Sequence, residues 1–353
     1  MNKNLAYVSS LYGGFWRFGI KDFCYLVNPY FPPDQFMESL KSNLSTLVNS
    51  YPSTNWYISE LLGDAIGLTH DELVIGNGAS ELISSITRKY VSNIAVPVPS
   101  FDEYINRAVN QGKQVSPYAL TGEFDLDMNG FIEHIREQSA NSALIINPNN
   151  PTGNLVSEAW IYDFLQAVRD LELVIIDESF IEFSDPESGS SVIDKLSEFP
   201  NLVILKSLSK AWGIPGLRLG YAASANEDLI RGIRSDVPIW SINSFAQFFL
   251  ENISSFQSEL LESCNRVRAA TDILFKGLAT VPYLRAYPTE ANFVFCKVVD
   301  KFNSRELTET LLERFGILIN DCGGKHGLDQ TFVRIASRTE QENRDLIEKL
   351  NSI

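Results

Sequence analysis

The sequence predicts an α/β protein: a large, mainly parallel sheet domain flanked by helices, joined to a smaller α+β domain. Two observations carry this prediction. Short runs that are apolar at every position recur through the middle of the chain, among them Ala143-Leu144-Ile145-Ile146, Leu173-Val174-Ile175-Ile176 and Leu202-Val203-Ile204-Leu205, with helical patterns between them. Strands of that kind are covered on both faces, as in parallel sheets. After about Ser241 the pattern changes to one long helical stretch followed by a short mixed unit.

Taken in order, Leu73-Val74-Ile75 reads as a strand, followed by Gly76-Asn77-Gly78-Ala79-Ser80 and a helix from Glu81. Asn93-Ile94-Ala95-Val96 is the next strand, with a helix near Phe101 to Asn110. Ala143 to Ile146 is a buried strand that stops at a proline-rich loop, and Ser157 can N-cap a helix running to about Asp170. The strands at Leu173 and Leu202 follow. The long helical stretch runs through Phe245, Phe248, Phe249, Ile253, Leu260 and Leu261 to Leu274, at spacings of mostly three or four, with Val267 and Ala270 continuing its apolar face. Asn292 to Phe295, a helix at Arg305 to Phe315, the strand Phe332 to Ile335 and a helix from Glu340 close the chain. No repeat or linker interrupts this order. The expected division is a large domain over 36–265 and a small one from 1–35 and 266–353.

Charge restricts the partners. With 44 acidic against 29 basic residues the net charge is −15, which repels phosphate backbones, so neither nucleic acid nor an anionic membrane is expected as partner. An anionic ligand has to be met by a local cluster of Arg or Lys. Cys24, Cys264, Cys296 and Cys322 form no C-x-x-C pair and read as reduced thiols. His70, His134 and His326 do not cluster, so neither a metal site nor a Ser/His/Asp triad is expected. Met1 to Leu11 lacks the apolar core of a signal peptide, and no stretch approaches the ~20 apolar residues of a membrane span. The expected location is cytoplasmic.

In an open parallel sheet, ligands bind beyond the carboxyl ends of the strands. Gly76-Asn77-Gly78-Ala79-Ser80 is either a plain strand-to-helix turn or an anion cradle, since glycines admit a close backbone and a helix start offers free N–H groups. Phe101, after the next strand, is either core or a stacking face for a flat heterocycle. Asn147-Pro148-Asn149-Asn150-Pro151-Thr152-Gly153 is a rigid loop that projects amides. Asp177, at a buried strand end, is either a helix cap or the partner of a cationic ring nitrogen. After the fifth strand, Ser207, Ser209, Lys210 and Arg218 gather within a dozen positions of a Gly-rich frame. Hydroxyls and a guanidinium can clamp a phosphate, and a buried lysine of lowered pKa is the residue for a Schiff base. Anion cradle, stacking face, amide donor, carboxylate and amine together are what a phosphorylated pyridine aldehyde requires.

With these residues in place, the chain resembles a fold-type I pyridoxal-phosphate enzyme of the class I/II aminotransferase family, in the histidinol-phosphate aminotransferase and threonine-phosphate decarboxylase branch. The motifs are NPNNPTG, DESFIEF and SLSKAWGIPGLRLGY, and the resemblance runs from Tyr12-Gly13-Gly14 to the last helix. It implies the aminotransferase fold type I and pyridoxal 5'-phosphate held as a Schiff base on Lys210, which also moves the Cα proton. It implies that Asp177 pairs with the ring nitrogen, Asn150 donates to the phenolic oxygen and Phe101 stacks. Gly78, Ala79, Ser80, Ser207, Ser209 and Arg218 are then the phosphate site, and Tyr51 reaches the phosphate of a neighbouring subunit in a homodimer with shared active sites. The substrate contacts implied are Asn28, Asn292, Asn320, Arg334 and Arg338. Two positions depart from the pattern: Phe180 stands where the family often has Tyr, and Asn320 where both relatives usually place Arg.

The expected function is therefore a pyridoxal-phosphate-dependent aminotransferase acting on a small amino acid or amino-phosphate compound. The alternative is a decarboxylase, cyclase or lyase of an amino acid or O-phospho-amino acid on the same site, which Phe180 and Gly13-Gly14 favour. A binding protein that merely kept the fold is disfavoured because Lys210, Asp177, Asn150 and Arg218 are all present. A Rossmann dehydrogenase is excluded, because no G-x-G-x-x-G follows an early strand.

Overall fold

A computed structural model describes residues 4–353, so the first three residues of the segment expected at 1–35 lie outside the described residues. In chain order, β1 (Lys21–Phe23) belongs to a smaller sheet. The larger sheet takes β2 (Leu73–Asn77), β3 (Asn93–Val98), β4 (Gln114–Ala119), β5 (Ser142–Ile146), β6 (Leu173–Asp177), β7 (Leu202–Ser207) and β8 (Leu219–Ala223). The smaller sheet is completed by β9 (Leu284–Ala286), β10 (Phe293–Val298), β11 (Ile317–Asp321) and β12 (Phe332–Ala336).

The larger sheet has seven strands in the order β2-β8-β7-β6-β5-β3-β4. Only β8 runs against its neighbours; the rest are parallel. Side chains alternate between the faces of a strand, and here both faces are buried. Ala143, Ile145, Val174, Ile176, Leu202 and Ile204 join one core, together with Phe131, Phe164 and Phe249. Leu144, Ile146, Leu173, Ile175, Val203 and Leu205 join the opposite core, with Ile83, Tyr104 and Ile230. That is why these strands are apolar at every position. The five-stranded sheet, ordered β1-β11-β12-β10-β9, packs over its own core of Leu274, Val294, Leu311 and Leu346.

Several elements depart from the sequence expectation. β4 carries Pro117 and alternates in burial, as an edge strand can. β8 was expected as part of the loop after the fifth strand, because a glycine-rich turn precedes it and it is a run of only five residues, one of them Gly220. β11 and the three-residue β1 were likewise not expected as strands. The single long helix expected through Leu274 is two, Ser244–Asn252 and Gln257–Leu278, joined by a 3-10 turn at Ile253–Phe256. Ile253 and Phe256 stay buried through that turn, so the apolar face reads as continuous while the backbone is not. Ser157 caps its helix as expected, accepting from the Trp160 N–H at 3.2 Å.

Phe249 joins three elements that support the site. Its ring meets Phe36 edge-on at 5.5 Å and Trp212 edge-on at 5.4 Å, tying the helix Asp34–Asn49 to the segment just after Lys210. Phe249→Ala should destabilise the protein by about 3–5 kcal/mol in urea unfolding, the range for a fully buried aromatic. A loss under about 1 kcal/mol would contradict this packing role.

Candidate active site

Parallel strands all end at the same edge, and β2, β3, β5, β6 and β7 bring their loops together there. A cavity of about 170 Å³ opens at that edge. Its walls include Ser80, Phe101, Asn150, Asp177, Phe180, Ser207, Lys210 and Arg218. Five separate loops of the sequence contribute to it.

Lys210 lies on the short helix Leu208–Ala211 directly after β7. Its amine pKa falls from 10.5 to about 8. Burial is the main cause, and the charges of Arg334 and Arg218 push the same way against the opposing pull of Asp177. The amine is therefore largely freed of its proton in a range where an exposed lysine is not.

Asp177 ends β6 and is buried. Tyr104 donates its hydroxyl to Asp177 Oδ2 at 2.7 Å, and the Ser179 N–H donates to Oδ1 at 2.9 Å. Burial raises the carboxyl pKa, and the bonds from Ser179 and Tyr104 and the charge of Lys210 counter that rise. Tyr104 is itself fully buried, and burial together with Asp177 holds its phenol well above the ordinary value, so it is a donor at any working pH. Tyr104 was not expected as a site residue. Its signal was its place three residues after Phe101, whose ring it meets edge-on at 6.5 Å.

The anion cradle depends on β8. The antiparallel register sets Leu219 opposite Asn77, so Arg218 returns beside Gly78, whose N–H donates to the Arg218 carbonyl at 2.9 Å. Gly78 has φ +74°, and a Cβ there would run into the Arg218 guanidinium; a Cβ on Gly220 would run into the Ala79 backbone nitrogen. The helix Ala79–Tyr90 begins with no side-chain cap, so its first N–H groups stay open toward the cavity. Arg218 Nη2 reaches Ser80 Oγ at 3.4 Å, and the buried Ser209 Oγ has no partner. A buried orphan hydroxyl, open helix N–H groups, a guanidinium and two glycines that admit no side chain suit a phosphate.

On the opposite side, Arg334 projects from β12 of the smaller sheet. Its Nη1 donates to Asn150 Oδ1 at 2.6 Å and its Nη2 to the Cys24 carbonyl at 2.7 Å, while the buried Nε has no partner. Asn320 faces Arg334 across the β11–β12 ladder. Cys24, like Tyr104, was not expected here. Lys206, next to Ser207, pairs with Glu182 at 2.7 Å, which fixes the end of β7 to the turn after Phe180.

Asn28, Arg338 and Asn292 do not line the cavity, and neither does Tyr51, which was expected at a neighbouring subunit's site. Asn28 does not present its amide to the cavity: its Nδ2 donates to the Ala211 carbonyl and to Ser263 Oγ, both at 2.8 Å, and its Oδ1 accepts from the Tyr30 N–H. With its own N–H bound to the Lys210 carbonyl, Asn28 clamps the N-terminal segment onto the helix of Lys210. Arg338 is ion-paired with Glu342 at 3.6 Å. Asn292 is fully buried beside Ser337, with neither amide atom partnered, and does not line the cavity. Tyr51 is 80% exposed and lies against Trp240, the ring centroids 4.5 Å apart and the planes tilted by 31°, outside this chain's own cavity.

The site thus offers an amine of lowered pKa, a buried carboxylate, a ring-sized gap beside Phe101 and a phosphate cradle. These residues fit pyridoxal 5'-phosphate. Comparisons with known proteins agree. Residues 19–350 match the family described as aminotransferase class I and II. The chain is 37% identical over 343 residues to the CMP-5'-(3-aminopropyl)phosphonate synthase of Streptomyces rubellomurinus, covering 96% of this chain and 54% of that protein. It therefore spans about half the length of that relative. It is 31% identical over 338 residues to the L-serine phosphate decarboxylase of Campylobacter jejuni, covering 91% of this chain and 85% of that one. The crystal structure of the histidinol-phosphate aminotransferase from Clostridium acetobutylicum superposes with a TM-score of 0.86 at 28% identity, covering 94% of this chain and 98% of that chain.

The lowered lysine pKa makes a pH prediction. An amine is protonated below its pKa and nucleophilic above it, so capture of pyridoxal 5'-phosphate by the cofactor-free protein should rise with a midpoint near 8. Stopped-flow absorbance against pH measures this. A rate still climbing toward 10.5 would show an ordinary lysine.

Proposed function

Because the chain belongs to the aminotransferase class I and II family of pyridoxal-phosphate-dependent enzymes, we propose that it is an aminotransferase acting on a small amino acid or amino-phosphate compound through Lys210. The observation that carries this reading is the amine of Lys210, its pKa drawn down to about 8, on the same cavity wall as the buried carboxylate of Asp177. When bound, pyridoxal 5'-phosphate supplies an electron sink for charge that develops at the substrate Cα.

The protein's own groups act around that sink. Lys210 would hold the cofactor covalently through its Nζ and would then take and return the proton at the substrate Cα. Asp177, steadied by Tyr104 and the Ser179 N–H, would keep the ring nitrogen charged. Asn150, its Oδ1 held by Arg334, would donate from its Nδ2 to the phenolic oxygen. Phe101 would supply the stacking face. Gly78, Ala79, Ser80, Ser207, Ser209 and Arg218 would bind the phosphate. Arg334 takes the acidic group of the substrate with its unpaired Nε edge. Phe180 and Phe293, edge-on at 5.4 Å, close one wall and exclude water.

A second reading, decarboxylation at the same Cα, has its own support. One relative is named as a serine phosphate decarboxylase, and Phe180 leaves an apolar wall where a phenol would donate to the ring. The two readings differ in which Cα bond breaks, and so in product.

We further propose a homodimer, with Tyr51 and Trp240 at its interface and Tyr51 serving the partner's phosphate site, in a reducing, cytoplasmic setting where all four cysteines stay free. Among the described residues no helix is long and apolar enough to cross a membrane. Sedimentation should give twice the 39.6 kDa mass of the chain, and a monomer at micromolar concentration would overturn the shared site.

The activity test is a panel of amino acids and phospho-amino acids mixed with the cofactor-loaded protein, with products identified by mass. Transamination predicts loss of the visible band and a stoichiometric keto acid. Carbon dioxide with a primary amine and no keto acid would replace it with the decarboxylase reading. The absence of both would refute the site.

A further inference from the structure

The surroundings of Arg334 bear on the charge of the substrate. Of the five N–H groups of a guanidinium, Arg334 gives one to Asn150 and one to the Cys24 carbonyl, leaving three, among them the buried and unpartnered Nε–H. Across the ladder stands Asn320, which brings no charge. Its amide is tied between two thiols: Nδ2 donates to Cys24 Sγ at 3.3 Å, and Oδ1 accepts from Cys322 Sγ at 3.3 Å. Burial pushes the Cys322 thiol up to about 12 and the Cys24 thiol up as well, so both are neutral.

Two other cations of this end are paired. Arg338 pairs with Glu342, and Lys325 pairs with Asp102. Arg218 belongs to the phosphate cradle at the far side. Asp22, whose Oδ1 accepts from the N–H groups of Cys24 and Tyr25, has its pKa raised by burial, and the charges of Arg338 and Arg334 oppose that rise. Among the described residues, an anion at Arg334 thus meets one guanidinium with an uncharged amide and two neutral thiols beside it. A second negative charge there has no partner and loses its hydration.

Given the proposed function, on which this rests, we propose that the site selects an amino compound whose acidic tail carries one negative charge, a carboxylate or a phosphodiester. It discriminates against a dianionic phosphomonoester, and Asn320 sets that limit.

The test is binding rather than turnover. The cofactor-loaded protein at pH 8 is titrated with L-aspartate, L-glutamate, the phosphodiester glycerophospho-L-serine and O-phospho-L-serine, whose second phosphate pKa of about 6 makes it dianionic. Apparent Kd is read from the initial shift of the cofactor band. A monoanionic tail should bind about tenfold or more tightly than O-phospho-L-serine, and the stronger arm separates carboxylate from phosphodiester. Asn320→Arg should tighten O-phospho-L-serine by about tenfold and remove that preference. If the variant does not fold, the ranking by the native protein decides alone. O-phospho-L-serine binding as tightly as any monoanion overturns the inference while leaving the proposed function intact. A band that moves with none of the four overturns both.

Discussion

Asp177 ends a strand that is apolar on both faces, and an ionised carboxylate there is tolerated only if donors surround it. The structure supplies two, the Tyr104 hydroxyl and the Ser179 N–H, with Lys210 nearby. Burial of a charge is costly in proportion to its isolation, so the carboxylate is both expensive and directional. A cationic ring nitrogen opposite it would complete the arrangement. The same low-dielectric setting lowers the pKa of Lys210, so one feature of the fold, a sheet buried on both faces, tunes both groups in opposite directions.

The antiparallel β8 is the second constraint. A fully parallel sheet would send the chain after Lys210 to the far edge before it could return. By reversing, β8 sets Arg218 opposite Gly78 and closes the phosphate cradle within a dozen residues of the reactive amine. The glycines at 78 and 220 follow from that closeness, since side chains there would collide with the guanidinium and the helix start. Anchored at the phosphate end, a ligand ring is held at a fixed distance from Lys210, Asp177 and Phe101, which is how binding energy at one end positions chemistry at the other.

Much of this was legible in the sequence for a physical reason. Strands buried on both faces must be apolar throughout, so β3, β5, β6 and β7 announced themselves, and the polar residues immediately after them stood out. Lys210, Asp177, Asn150, Phe101 and Arg218, read from those loops, do meet at one cavity. What was hidden depends on pairing between distant segments. β8 is short and framed by turns, so only its register with β2 and β7 reveals it. Tyr104 is an ordinary core aromatic until its hydroxyl is seen on Asp177. Asn28 reads as a ligand contact only through the family resemblance, yet three internal hydrogen bonds and the Lys210 carbonyl absorb it. Cys24 becomes part of the site only because β1 pairs with β11 and brings it beside Asn320.

The central claim is that one amine, on the residue after Ser209, is the covalent anchor. Borohydride reduction of the cofactor-loaded protein, followed by proteolysis and mass spectrometry, tests it directly. A phosphopyridoxyl group fixed stoichiometrically on Lys210 is the predicted result. The label on another lysine, or none at all, would contradict the account.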